Sequence, residues 1–299
     1  MDMEHNTLKE TVRQLSLPES YNLVFYTSKR GTPMPHYGKM QEIVSLLREI
    51  LFPGYFGDSR ISPENMEYYI GVQVDKVNQL LTEQIVCGLC FNCHPENEND
   101  LCTHCNSEAS GISMRFIESL PKVRAMLAED IRATFNGDPA SKSFGEIIYC
   151  YPGIRAITNY RIAHELYLLN VPLLPRIITE MAHMDTGIDI HPGASIGSNF
   201  AIDHGTGVVI GETSVIGNNV KIYQGVTLGA KSFPLDEKGN PIKGIPRHPV
   251  VEDNVVIYAE ATILGRITIG ANSVIGGNVW ITHDVSANTK LSMTKEQTT

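Results

Sequence analysis

The sequence predicts an α+β chain: an all-helical N-terminal domain followed by a parallel β-helix of hexapeptide repeats. Three observations carry this. An aliphatic residue returns at every sixth position through the second half. Small or β-branched residues precede it by two positions, and glycine often follows it. The first half instead carries apolar residues at helical spacing, without that six-residue frame.

The bulk properties are those of a globular protein with room for two domains. There are 299 residues, 42% hydrophobic and 19% charged, with a formal net charge of −9. That balance argues against a nucleic-acid binder, which would show a basic face. The start, MDMEHNTLKE, is polar and mixed in charge, unlike a secretory signal, and no apolar run is long enough to span a membrane. A cytoplasmic location is expected, with neither nucleic acid nor membrane as partner.

Residues 1–20 are expected to form a flexible N-terminus, and 21–185 a helical domain. Within it, 39–52 places Ile43, Leu46, Leu47 and Ile50 on one helical face before FPGYFGD breaks the pattern. The next helix should open at Ser62 as N-cap with Pro63 in its first turn. Residues 113–135 form another amphipathic stretch with a kink expected near Pro121. Residues 154–169 and 175–184 read as two more helices.

From 186 to 288 the frame is six. It runs Ile190, Ile196, Ile202, slips by two through HGTG, and resumes at Ile210, Ile216, Ile222 and Leu228. After a break it returns at Val251, Ile257, Ile263, Ile269, Ile275 and Ile281. Such repeats predict triangular coils of three short strands, with the aliphatic side chains stacked inside and each coil covering the next. The break, 230–249, is polar and proline-bearing and reads as a loop projecting from one edge. Residues 289–299 read as a tail.

DIHPGASIG, IDHGTGVVIGETSVIG, VTLGAKS and RHPVVEDNVVIYAEATILG together resemble serine O-acetyltransferase, a hexapeptide-repeat acyltransferase of cysteine biosynthesis. The resemblance implies left-handed coils and transfer of acetyl from acetyl-CoA to the hydroxyl of L-serine, with no metal required. An alcohol needs a base to take its proton as it attacks, and histidine suits that task. The resemblance makes His204 that base and Asp189 the carboxylate that orients it, fifteen residues away, or roughly one coil. Asp203 would help to bind serine, and Asp138 would reach its amino group from the helical domain. Arg247 and His248 would read its carboxylate, for which an arginine fork is apt. Asp203 also fits a turn-stabilising Asx motif and Asp138 an Asp-Pro turn that ends a helix. Gly229, Ala230 and Ala259 match positions where small residues let the pantetheine arm of CoA approach, and Lys231 could meet a phosphate. Cys150 stands alone, so direct transfer is preferred to an acyl-enzyme.

Three features depart from the family pattern. The excursion is long, and the helical domain is extended. The end, THDVSANTKLSMTKEQTT, lacks the family's usual CoA-covering segment and docking terminus, which puts docking to cysteine synthase in doubt. Within the extension Cys87, Cys90, Cys93, Cys102 and Cys105, with His94 and His104, are weak candidates for a zinc site. A homotrimer or a dimer of trimers is expected. The alternatives are another hydroxyl acceptor (homoserine or a sugar), a non-catalytic scaffold, or a metal-dependent carbonic anhydrase using three of His183, His191, His204, His248 and His283.

Overall fold

The computed structural model describes residues 2–27, 31–58, 60–92 and 103–292. Helices fill the first half: α1 (Asp2–Leu15), α2 (Pro18–Tyr21), α3 (Tyr37–Leu51), α4 (Met66–Asn92), α5 (Thr103–Gly137), α6 (Phe144–Cys150), α7 (Pro152–Leu168) and α8 (Leu174–Thr186). Most of the segment expected as a flexible N-terminus lies in α1 and α2, and α2 buries none of its residues. The apolar face of α3 is buried, Met40, Ile43, Leu47 and Ile50 included. Here α4 starts later than the Ser62 cap predicts: Ser62 to Asn65 close a separate turn, with Ser62 N donating to Asn65 Oδ1 at 2.8 Å. Pro121 lies inside α5, which runs through it. Proline opens α7 and α8, and Gly187 ends α8 in the left-handed region, where its N–H meets His183 O at 2.8 Å. Among the described residues no helix is long and apolar enough to cross a membrane.

Short parallel strands fill the second half. The first sheet is β1 (Asp189–Ile190), β4 (Val209–Ile210), β7 (Thr227–Gly229), β10 (Thr262–Leu264) and β13 (Trp280–Ile281). The second is β2 (Ser195–Ile196), β5 (Val215–Ile216), β8 (Val250–Val251) and β11 (Thr268–Ile269). The third is β3 (Ala201–Asp203), β6 (Lys221–Tyr223), β9 (Val256–Ile257), β12 (Val274–Ile275) and β14 (Lys290–Leu291). Each coil visits the three sheets in turn, which makes a triangular prism. Every aliphatic residue of the predicted frame is buried, and the register stacks them: Ile190 on Ile210, Ile210 on Leu228, Leu228 on Ile263, Ile263 on Ile281. The small residues two positions earlier are buried as well, among them Ala194, Val208, Ala261 and Ser273.

Three edges join the sheets. The first edge, between first and second sheets, carries the excursion between β7 and β8. The second edge, between second and third sheets, carries a ladder of asparagines. Asn219, Asn254, Asn272 and Asn288 all have φ between 56° and 61°, and each amide reaches the next across 3.1–3.3 Å. Asparagine tolerates that left-handed conformation better than most residues. The third edge, between the third sheet and the first sheet of the next coil, carries His204. The prism also runs on into the expected tail, because β14 pairs with β12 through Ile275 and Leu291. Those two are sixteen residues apart, not eighteen, so β14 falls outside the six-residue frame.

A prism has an open end where the first coil lacks a neighbour. Here α7 covers it. Arg161, buried on α7, donates to Ile196 O and Gly197 O at 2.7 and 2.6 Å and forms a two-point ion pair with Asp130 of α5, each bond 3.1 Å. Asp130 also accepts from Phe200 N at 2.9 Å. Tyr160 donates to Ala194 O at 2.6 Å. Close approach is enabled by Gly153, where a Cβ would press on the backbone carbonyl of Ile202.

Candidate active site

The third edge holds the residues expected to activate the acceptor. Strand β3 ends at Asp203, and His204 follows with φ 57°. Neighbouring residues on a strand point to opposite faces. The left-handed turn breaks that alternation and brings the two side chains together, with His204 Nε2 at 3.8 Å from Asp203 Oδ1. Gly205 has φ 91°, and a Cβ there would collide with Ile188 and Ile202. The HGTG slip thus turns His204 outward, where its side chain is 75% exposed. A left-handed non-glycine residue is the kind of backbone strain that collects at functional sites.

Asp203 is held by Lys221 of β6, whose Nζ lies 3.0 Å from Oδ2. The same ammonium donates to Gly137 O at 2.7 Å, at the end of α5, and sits 4.5 Å above the ring of Tyr223. Asp138 follows directly. Its Oδ1 accepts from Ala140 N at 2.8 Å, which is the Asx turn, and its Oδ2 accepts from Tyr151 OH at 2.7 Å. The Tyr151 bond, then the Ala140 bond, hold the Asp138 carboxyl below its ordinary range, with Lys221 and His204 adding to the effect. Asp138 in turn pushes the Tyr151 phenol up to about 12. Asp138, Asp203 and His204 therefore share one locality, assembled from the end of α5 and the third edge.

Asp189 belongs to the same edge, two residues beyond Gly187, whose carbonyl accepts from Gly207 N at 2.8 Å. Its carboxylate turns to α8, where Arg176 Nη1 lies 3.7 Å from Oδ1. The expected His204–Asp189 hydrogen bond is not formed within the chain; the carboxylate beside His204 is Asp203. Glu180, His183 and Asp189 are the one grouping among the described residues with spacing for a cation, and Arg176 already pairs with Glu180 there at 2.5 Å.

Arg247 and His248 lie on the first edge, across the first sheet from His204. Arg247 Nη2 meets Glu212 Oε2 at 2.6 Å, and its backbone N–H donates to Thr213 Oγ1 at 2.9 Å. His248 is buried against Gly211, where any Cβ would fall inside its ring. Burial, then the charge of Arg247, depress its pKa to about 4. Thr213 N donates to His248 Nδ1 at 3.0 Å, so the neutral ring carries its proton on Nε2. His191 on the same edge is also pushed down by burial.

The residues expected at CoA divide between two edges. Gly229 ends β7, and Ala230 and Lys231 follow where the excursion leaves the first edge. Lys231 lines a groove of about 280 Å³ with Arg266, Ile267 and Thr282. Ala259 sits on the third edge, and its carbonyl oxygen lies so close to Gly277 that a Cβ there would stand 2.9 Å away. Of the cysteine cluster, Cys87 and Cys90 on α4 and Cys105 on α5 are buried, and burial raises the Cys87 thiol pKa. They do not form a metal grouping among the described residues. Cys93, Cys102, His94 and the side chain of His104 lie outside the described residues, as does the tail beyond Ser292.

A prism of hexapeptide coils with a histidine turned out beside carboxylates on its edge defines a hexapeptide-repeat acyltransferase. Residues 248–283 match the family profile described as bacterial transferase hexapeptide (six repeats). A serine acetyltransferase of Synechococcus elongatus is 52% identical over 261 residues, covering 87% of this chain and 82% of that one. One from Bacillus subtilis is 49% identical over 160 residues, 54% of this chain and 70% of that one. Among solved structures, Entamoeba histolytica serine acetyltransferase 1 in complex with L-cysteine superposes with a TM-score of 0.73 at 36% identity, covering 98% of this chain and all of that one. The chain belongs to the serine acetyltransferase family.

Proposed function

We propose that this enzyme transfers the acetyl group of acetyl-CoA to the hydroxyl of L-serine, giving O-acetyl-L-serine and CoA. The observation that carries the reading is the left-handed turn at His204, which presents an accessible imidazole beside Asp203 and near Asp138. His204 takes the hydroxyl proton as the serine oxygen attacks the thioester carbon. The tetrahedral adduct collapses with departure of the CoA thiolate, which receives the proton from the imidazolium. Asp138 and Asp203 bind the ammonium of serine. Asp189, on the edge that carries His204, orients the imidazole in the loaded site, as the aspartate of a triad does.

The carboxylate of serine falls to Arg247 and His248, and the acyl-CoA arm to Gly229, Ala230, Lys231 and Ala259. What supports a homo-oligomer, a trimer of side-by-side prisms, is that the serine residues (Asp138, Asp203 and His204 against Arg247 and His248) and the CoA residues (Ala259 against Gly229, Ala230 and Lys231) are each split between two edges of one prism. A neighbouring prism that sets its first edge against the third edge of this one would unite them.

The test is CoA release from acetyl-CoA with L-serine, L-homoserine or no acceptor, for wild type and His204→Ala. Serine-dependent release that falls by about 10²–10⁴ in the variant supports the reading; release independent of serine overturns it. Mixed refolding of His204→Ala with Arg247→Ala chains tests the shared site. Some trimer sites would then pair an intact third edge with an intact first edge, and activity should return. No recovery in a mixed trimer would sink the shared-site arrangement.

A further inference from the structure

On the first sheet the outward-facing residues stack in register: Asp189, Val209, Thr227, Thr262 and Trp280. The row borders the third edge, and above Asp189 it carries no charge. It ends in the sole tryptophan of the chain. Trp280 is 69% exposed, more than any other large apolar residue on the prism strands. A single exposed apolar residue is ordinary; the position of this one relative to His204 is not.

Asp203 and the Asp138 turn stand on the third-sheet side of His204, where Lys221 ties one to the other. With serine held there, direct transfer brings the thioester to the imidazole from the first-sheet side, at the level of Val209. Moving up the third edge from His204, Ala259 comes next among the residues expected at CoA, and Trp280 lies one coil beyond it. Three strand spacings separate β4 from β13, about 14 Å at ~4.8 Å each. An acyl-CoA arm that leaves His204 and passes Ala259 therefore carries its nucleotide end to Trp280. Tyr258 is not equivalent. It lies on the third-sheet side, and its ring already stacks on Tyr223 with centroids 5.0 Å apart.

We propose that Trp280 is the platform on which the adenine ring of acetyl-CoA stacks. The inference rests on the acetyl-transfer reading and adds to it a binding residue for the nucleotide. An indole offers a broad π-face, and every nucleobase has one to match, so stacking needs no hydrogen-bond partner. Charge complementarity supports the placement. In a trimer that sets a neighbour's first edge against this third edge, the neighbour presents its groove of Lys231, Arg266 and Thr282. Thr282 is two residues beyond Trp280, so the basic groove and the indole stand at one height along the prism. The groove takes the phosphates and the indole takes the base, from opposite sides of the subunit boundary.

Because the chain has one tryptophan, its fluorescence reports on this position alone. The full chain is titrated with CoA and with pantetheine, which lacks the nucleotide, and calorimetry follows the same titrations. Saturable quenching by CoA and none by pantetheine is expected. Trp280→Ala should raise KM for acetyl-CoA by about tenfold or more, with KM for serine and the oligomeric state unchanged. Trp280→Phe, which keeps a ring, should retain most of the affinity. The proposal is overturned if CoA binds by calorimetry without altering the emission, or if Trp280→Ala keeps the wild-type KM for acetyl-CoA. Dissociation of the Trp280→Ala oligomer would overturn it too, by making the indole a subunit contact. Failure of the wild type to bind CoA or turn over acetyl-CoA would instead sink the acetyl-transfer reading, and this inference with it.

Discussion

Lys221 Nζ lies 3.0 Å from Asp203 Oδ2 and, with its other hydrogens, reaches Gly137 O at 2.7 Å. One ammonium thus ties the prism strand that leads into His204 to the helical turn that carries Asp138. Both side chains of the pair are only 17% exposed, so solvent screens it weakly. Replacing Lys221 with methionine keeps an apolar stem but removes the ammonium that sits over Tyr223 and ties down the Asp138 turn. The expected outcome is a rise of about tenfold in KM for serine, equivalent to ~1.4 kcal/mol, with KM for acetyl-CoA unchanged. Lys221→Arg should restore part of it. Steady-state kinetics with each substrate varied checks the split; an equal change in both KM values would mean general damage.

The Arg161–Asp130 pair predicts a different kind of loss. Both side chains are almost wholly buried, and Arg161 also satisfies two carbonyls at the end of the prism. Arg161→Leu leaves Asp130 charged and uncompensated, which costs about 3–5 kcal/mol. Burial already raises the Asp130 pKa even with its partner present. The double variant Asp130→Leu/Arg161→Leu should be more stable than Arg161→Leu alone. Equilibrium denaturation in urea measures both, and additive losses would count against the pair acting as a unit.

His248 gives the pH dependence its sign. Its folded pKa, near 4, is below the ordinary value of 6.5. At low pH the unfolded chain therefore binds the proton that the folded chain refuses. The neutral ring contributes its full stability above about pH 6.5 and loses it progressively as the pH falls toward 4. His164 and His191 are depressed by burial in the same direction. Wild type should thus lose more Tm between pH 7 and pH 4 than His248→Asn loses. A gap between the two proteins that stays constant across that range would contradict the assignment.

The prism was legible in the sequence because its physics is local and periodic. One apolar residue per short strand must point inward, so Ile190 to Ile281 could be placed without a structure. What escaped lies where the period is broken or where contacts cross domains. Strand β14 sits two residues out of frame, and Ser62 resembles an N-cap although Asn65 uses it to close a separate turn. Within the site, His204 and Asp203 stood out through the IDHGTG motif. Lys221 and Tyr151 did not, because an outward lysine on a strand and a tyrosine before a proline carry no signal until α5 is laid against the third edge. The His204–Asp189 separation of about one coil is compatible with an approach on adjacent turns, but spacing is silent on rotamers, and here Arg176 draws the Asp189 carboxylate toward α8.

Tyr151→Phe tests whether Asp138 works as a charge or only as a turn. In wild type the Tyr151 hydroxyl is the largest influence holding the Asp138 carboxyl below its ordinary range, and the Ala140 N–H bond is the next. Phenylalanine removes the first and spares the second, so the Asx turn survives while the carboxyl pKa moves up. If the ionised carboxylate binds the ammonium of serine, KM for serine should rise in Tyr151→Phe, and more so as the pH falls, because a growing fraction of Asp138 would be protonated. The acid limb of kcat/KM for serine should therefore move to higher pH, while the pH profile for acetyl-CoA stays where it was. If Asp138 only closes the turn, the two profiles for serine will superimpose after scaling, and Asp203 must bind the ammonium alone.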